Sequence, residues 1–241
     1  MENFIRRMKH YVELGDADFD FMRDLPSTVR TFGAGSRMVA FDEVVDTLFI
    51  IESGWALRTR FLEDGRRQVI NVMIAGDYFD LMALVGAKSD HSVHAATDVT
   101  VRTFRGEDFL NMVYRSNRLA SAFWWVTVRE ESVLRQQIVR IGRMSAQERI
   151  ANFILELNRR QDISMDTRED FVTLPIPQAV LADALGLSIV HVSRSLTAMK
   201  SRGLIRANRQ GVTIDDRSGL TELAGFEPSH PKPTRLPMAA Q

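Results

Sequence analysis

Val190, Arg194, Thr197 and Ser201 recur at spacings that place them along one face of a helix. An arginine fork among hydroxyls suits hydrogen bonding to planar acceptors, either the edge of a base or the oxygens of a phosphate. Val192, Leu196 and Met199 fall on the opposite face and offer only packing. Ser188 is an N-cap residue type, so the helix is predicted over 189–202. Residues 177–185 read as a shorter helix with Pro177 in its first turn, and Gly186-Leu187 as the tight turn between the two. Ala182 is the small residue that would let the helices approach. Such a unit over 177–203 is a helix-turn-helix, whose second helix can enter a major groove.

Helix, glycine, helix alone also describes a plain helical hairpin, so the neighbours carry the discrimination. Residues 204–207 and 212–214 read as two strands around Asn208-Arg209-Gln210-Gly211, the wing of a winged helix. Between Ala184 and Ile214 stand Arg194, Lys200, Arg202, Arg206 and Arg209, with no acidic residue. A basic face on a chain of formal net charge +0 fits a local anionic partner, double-stranded DNA, with Arg206 and Arg209 facing phosphates.

The elements that hold this unit are legible upstream. From about residue 28 to 104, short apolar runs (48–51, 55–61, 69–74, 99–104) alternate with turn residues, as in a small barrel or roll. Asp64-Gly65 marks a hairpin with a primed turn. Phe4, Ile5, Met8 and Val12 form a short amphipathic start. From Ser116 to Ile141 there is no glycine or proline, and Leu119, Ala122, Phe123, Val126, Val133, Ile138 and Ile141 recur at helical spacing. A helix of this length either lies across its own roll or pairs with a second copy. A two-fold DNA reader needs a dimer axis, which favours pairing through Leu119, Phe123, Val126, Val133 and Ile141. Gly142 is expected to end it, and Ser145-Ala146-Gln147-Glu148 to open the next helix as a capping box, with Ile150, Phe153, Ile154 and Leu157 inward. A polar loop over 159–170, a strand over 171–176 and a disordered, proline-containing tail from 227 complete the reading.

The expected class is therefore α+β. A β-roll sensor domain spans 1–115 and a long dimerisation helix 116–143. A winged helix-turn-helix follows over 144–226, and a tail over 227–241. With 45% hydrophobic and 26% charged residues the composition is that of a soluble globular protein. The absence of cysteine excludes disulfides, cysteine-ligated iron–sulfur clusters and thiol sensing. No signal peptide and no membrane-spanning run is evident, so a cytoplasmic location is expected. No glycine-rich phosphate loop, metal-spaced cluster or nucleophile elbow points to an enzyme, and no cofactor is predicted.

Along 15–225 the chain resembles the Crp/Fnr superfamily of bacterial transcription regulators. The string 181–194, Leu-Ala-Asp-Ala-Leu-Gly-Leu-Ser-Ile-Val-His-Val-Ser-Arg, is similar to the family's DNA-binding signature. Glu52-Ser53-Gly54-Trp55-Ala56-Leu57-Arg58 and Ala75-Gly76-Asp77 resemble its roll motifs. The resemblance implies a cyclic-nucleotide-binding-like jelly roll, a homodimer on a near-palindromic operator, RNA polymerase as a partner, and an effector site between roll and long helix. It places Ser193 and Arg194 at base-contacting positions. Ile189 and Val190 stand where relatives often carry arginine or glutamate, so the operator should depart from the family consensus. His191 is expected at a phosphate.

At the implied effector site, only Asp80 lies near the family's glutamate, and His91-Ser92 replaces its Arg-Ser pair. The helix contact falls at Leu134-Arg135. Without the arginine fork, a mostly neutral histidine cannot hold a cyclic phosphate, so cyclic AMP is expected not to bind tightly. His91 and His94 invite a haem or metal reading, yet on a strand their spacing puts them on opposite faces, and solvated histidines are the plainer reading. Phe123, Trp124 and Trp125 are expected to pack rather than to cage an effector. Three functions stay open: a regulator gated by another small effector, a constitutive regulator whose roll only scaffolds the dimer, and a haem-based gas sensor.

Overall fold

The computed structural model describes residues 1–11, 14–165, 169–208 and 210–225. Val12, Arg209 and the tail 227–241 lie outside them. Two helices open the chain, α1 (Glu2–Tyr11) and α2 (Asp16–Arg23), followed by eight strands. These are β1 (Thr28–Phe32), β2 (Arg37–Val39), β3 (Thr47–Ser53), β4 (Ala56–Phe61), β5 (Arg67–Met73), β6 (Tyr78–Phe79), β7 (Ser92–Ala95) and β8 (Val99–Arg105). They form two four-stranded antiparallel sheets, ordered β1-β8-β3-β6 and β2-β7-β4-β5.

The unbroken apolar run of β3 reflects burial on both faces. Phe49 and Ile51 point into the roll with Val93, Val99 and Val101, whereas Leu48 and Ile50 meet Phe4, Ile5 and Met8 of α1 on the other side. The hairpin between β4 and β5 differs from the expected primed turn. Gly65 donates to Leu62 O at 3.0 Å and Leu62 donates to Arg66 O at 2.8 Å. A three-residue loop thus closes on Gly65 at φ 84°, where a side chain would be strained.

After α3 (Gly106–Tyr114), Ser116 caps the long α4 (Asn117–Arg143) by accepting from the Leu119 amide. At 27 residues it is roughly 40 Å long. It runs through Gly142 and stops at Met144, whose extended backbone leads into α5 (Ala146–Met165). The α5 capping box is present: Ser145 N donates to Glu148 Oε2 at 2.6 Å and Glu148 N to Ser145 Oγ at 3.5 Å. The expected loop from Arg159 is instead helix as far as Met165, because Asn158, Arg160 and Gln161 are buried polar residues with tertiary roles. Asn158 donates to Glu169 O, and Gln161 bonds both the N–H and the C=O of Thr173.

The stripe assigned to dimer pairing turns largely inward. Leu119 is 1% exposed, and Phe123 and Val126 pack with it against the chain's own roll, where burying each such side chain contributes roughly 1.5–3 kcal/mol. Val133 faces β5 and α5, beside Gln137 and Arg140, and Ile141 is half-buried. The face left open carries Trp124, Val128, Ile138 and Val139. Trp124 accordingly does not pack as expected, although Phe123 and Trp125 do. Among the described residues no single helix is long and apolar enough to cross a membrane.

Candidate nucleic-acid interface

Strand β9 (Phe171–Thr173), shorter than expected, leads into α6 (Gln178–Leu185), α7 (Ile189–Ser201), β10 (Ile205–Ala207), β11 (Gly211–Ile214) and α8 (Arg217–Ala224). The α6 and α7 axes differ by 102°. Gly186 turns the chain at φ 61°, and Leu187 N returns to Ala182 O at 3.0 Å. Arg149 of α5 clamps this corner: its guanidinium donates to Leu185 O at 2.8 Å, Gly186 O at 3.3 Å and Met144 O at 2.8 Å. Ser188 Oγ accepts from His191 N at 3.2 Å and fixes the start of α7.

Val192, Leu196 and Met199 are buried against α5 and α6, as their spacing predicts. The other face of α7 is open: Ser188, Ile189, Val190, His191, Ser193, Arg194 and Thr197 are all exposed. Ile189 and Val190 are 52% and 55% exposed, so neither packs inward. Thr197 Oγ1 donates to Ser193 O at 3.0 Å, which leaves its lone pairs available. Arg194 has no hydrogen bond or ion pair among the described residues.

The wing is the antiparallel pair β10–β11, with β9 added on its far edge. Asn208 Oδ1 shapes the tip by accepting from Gln210 N at 2.8 Å and Gly211 N at 3.0 Å. Arg206 is less free than its sequence context suggests. Its Nε donates to both oxygens of Asp215, at 2.9 and 3.0 Å, one residue beyond the acid-free stretch. Asp183, just before that stretch, is likewise taken, by Arg67 of β5 at 2.6 Å. Both flanking acids are therefore drawn into ion pairs, and the basic character concentrates on α7.

Sequence reasoning missed how this unit is tied to the rest. Asp77 of the Ala75-Gly76-Asp77 turn is 1% exposed and pairs with Arg7 of α1 and Arg160 of α5. Arg160 also reaches Glu156, and Glu156 pairs with Arg140 of α4. Five charges thus alternate from α1 through the roll and α5 to α4. Burial alone would raise the Glu156 pKa, but Arg140 and Arg160 outweigh it and hold the carboxyl below the ordinary glutamate range. Gln137 of α4 then donates to Ala184 O of α6 at 2.5 Å. Only the Asp77 turn was conspicuous beforehand, and as a fold motif rather than an ionic hub.

Within the roll, Asp80, His91 and Ser92 are all buried. His91 is therefore not a solvated histidine: its Nδ1 lies 2.7 Å from Asp90 Oδ1, and burial first, then Arg58, lowers its pKa against the pull of Asp90. Ser92 Oγ accepts from Phe41 N at 3.0 Å. His94 Nδ1 lies 3.2 Å from Thr59 Oγ1. Among the described residues no three His, Cys, Asp or Glu groups are placed to hold a metal. The expected helix contact is not assembled: Leu134 is half-buried, while Arg135 is exposed and paired with Glu131 of its own helix. A charged α4 residue that does reach the roll is Glu130, whose Oε2 lies 3.6 Å from Arg58 Nη1.

Comparison with known proteins matches this architecture on both sides of the long helix. Residues 29–116 match the cyclic nucleotide-binding domain family and residues 148–223 the Crp-like helix-turn-helix domain family. The chain is 30% identical over 212 residues to the transcriptional activatory protein AadR of Rhodopseudomonas palustris, covering 88% of this chain and 87% of that protein. It is 34% identical to the nitrogen fixation regulation protein FixK of Rhizobium meliloti, covering 79% and 83% respectively. The structure of FixK2 from Bradyrhizobium japonicum superposes with a TM-score of 0.74 at 24% identity, covering 83% of this chain and 98% of that one, a likeness of fold. Similar to these regulators across most of its length, the chain belongs to the Crp/Fnr family of DNA-binding transcription regulators, not to an enzyme family.

Proposed function

We propose that the protein acts as a two-fold dimer that reads a near-palindromic operator through α7. The observation that carries this reading is the open N-terminal half of α7, with Arg194 uncommitted beside Ser193 and two exposed β-branched residues, Ile189 and Val190. The Arg194 fork suits a guanine edge, and the two apolar side chains suit thymine methyl groups. His191, Arg206 and Arg209 are assigned to phosphates, with Arg206 using the guanidinium nitrogens that Asp215 leaves free. The test is binding of the purified protein to promoter duplexes over a salt series. Affinity should fall steeply with salt, and a flat response would remove the reading.

The exposed face of α4 supports a dimer. Trp124 (72% exposed), Val128 and Ile138 (67% exposed) follow a heptad-like progression, with the Glu131–Arg135 pair between them. Ile138→Arg places a charge in that seam and is expected to shift the protein to monomer in sedimentation velocity, with loss of operator binding. A dimer that persists unchanged places the contact elsewhere.

The roll is assigned to sensing something other than cyclic AMP. A cyclic phosphate needs a cationic fork, and the position is held by His91 engaged with Asp90, while the roll also buries the carboxyl of Asp80. Arg58 is already held by Glu130. Calorimetric titration with cyclic AMP is expected to show no micromolar binding, and a micromolar isotherm would overturn the assignment. A second reading, a constitutive regulator, is favoured by that same Arg58–Glu130 pair, which ties roll to helix without a ligand. Haem is disfavoured by the engagement of both histidines with neighbours.

A further inference from the structure

The roll holds buried polar groups that DNA reading does not use. Asp80 follows β6 with its backbone at φ 69°, the left-handed region that costs a non-glycine residue. Its side chain is 1% exposed, and among the described residues neither carboxylate oxygen has a hydrogen-bond partner of ordinary geometry. The Ser89 hydroxyl nearby is committed to His91 O at 3.1 Å. The charged groups facing Asp80 are Arg58 from β4, Asp90 from the segment before β7, and Glu43 from the loop after β2. Arg58 in turn reaches Glu130 of α4 through Nη1, while its Nε is buried with no partner among the described residues.

We propose that Arg58 is a lever shared by two carboxylates, Glu130 on the long helix and Asp80 in the roll, and that a proton on Asp80 decides which of them holds it. Protonated, Asp80 is a neutral buried group, and Arg58 stays with Glu130, bracing α4 on the roll. Deprotonated, Asp80 is an unpaired buried anion, a state too costly to persist beside a cation with a free donor. A rotamer change of Arg58 satisfies it, and α4 loses its tie.

The direction follows from the burial. Burial raises the Asp80 pKa to about 6, with Arg58 and the nearby Ser89 hydroxyl offsetting part of the shift and Asp90 and Glu43 adding to it. The braced arrangement therefore holds the proton more tightly than the one in which Arg58 stands beside Asp80. It is favoured below about pH 6 and gives way as pH rises through that value. His91 is not assigned this role: burial first, then Arg58, hold its pKa below the ordinary imidazole value against the pull of Asp90.

The inference rests on the regulator reading only for its consequence at the operator, so its primary test needs no DNA. Tryptophan emission of the full-length protein, which includes Trp124 and Trp125 on α4, would be followed between about pH 5 and 8. The wild type should show a transition near pH 6. Asp80→Asn, neutral throughout, should lack it and resemble the wild type at low pH. Glu130→Gln, which removes the competing carboxylate, should move it to lower pH, and His91→Gln should leave it in place. A flat wild-type profile, a transition retained in Asp80→Asn, or one abolished by His91→Gln would overturn the proposal. Unchanged circular dichroism of the variants at low pH controls for folding. Where the titration behaves as stated, operator affinity of the wild type but not of Asp80→Asn should change by about 5- to 150-fold across the window. Loss of all DNA binding would count against the regulator reading and leave the titration result standing.

Discussion

Asp77→Ala is expected to lower folding stability by about 3–5 kcal/mol, because it strands a buried charge rather than merely deleting a contact. Asp77 takes Arg7 and Arg160 and accepts from Ile74 N at 2.7 Å. Without it Arg160 keeps the Val72 carbonyl, at 3.0 Å, and Glu156, but loses its most enclosed partner. For a chain of this size the loss corresponds to a fall of roughly 6–20 °C in the thermal midpoint. Asp77→Asn, which keeps the shape and an acceptor, should fall between. A double-mutant cycle of Asp77 with Arg160 should be strongly non-additive. Additive effects, or a shift of only a degree or two, would mean that the alternating charges are neighbours without coupling.

Arg194→Ala is expected to weaken operator binding by about 1–3 kcal/mol and to relax one base position in each half-site. Ser188 and Arg149 fix the start of α7 and the corner before it, so the exposed arginine is presented from a rigid element. Arg209→Ala should instead weaken all sequences about equally, as loss of a phosphate contact does. Binding titrations of both variants against a panel of single-base operator changes separate the two behaviours. If the two variants lose affinity with the same sequence profile, the roles assigned to α7 and the wing are wrong.

What could be read from the sequence was what local periodicity determines. The inward face of α7, its Ser188 cap, the Gly186 turn and the α5 capping box all appear at the expected residues, because each depends on spacings of three or four. Features set by distant partners were not legible. Arg160 and Gln161 look like loop composition, yet the roll and β9 engage them as part of a helix. Leu119, Phe123 and Val126 look like a pairing stripe, yet the chain's own roll covers them and leaves Trp124 and Ile138 outside. Arg206 looks like part of an acid-free patch, but antiparallel pairing of the wing brings Asp215 across to it. In the effector region the resemblance pointed to Asp80, His91 and Ser92, which the structure buries within the roll. It pointed also to Arg135, which faces away, while Arg58 and Glu130 carried no signal of their own.

Selection of bound sequences from a random duplex pool tests the central claim most directly. A two-fold reader should enrich a near-palindromic site, with half-sites about one helical turn apart or a multiple of it, and with a guanine in each half-site whose preference disappears in Arg194→Ala. A pool that stays random, or an enriched site whose preference Arg194→Ala leaves intact, would contradict the account of α7 as the reading helix.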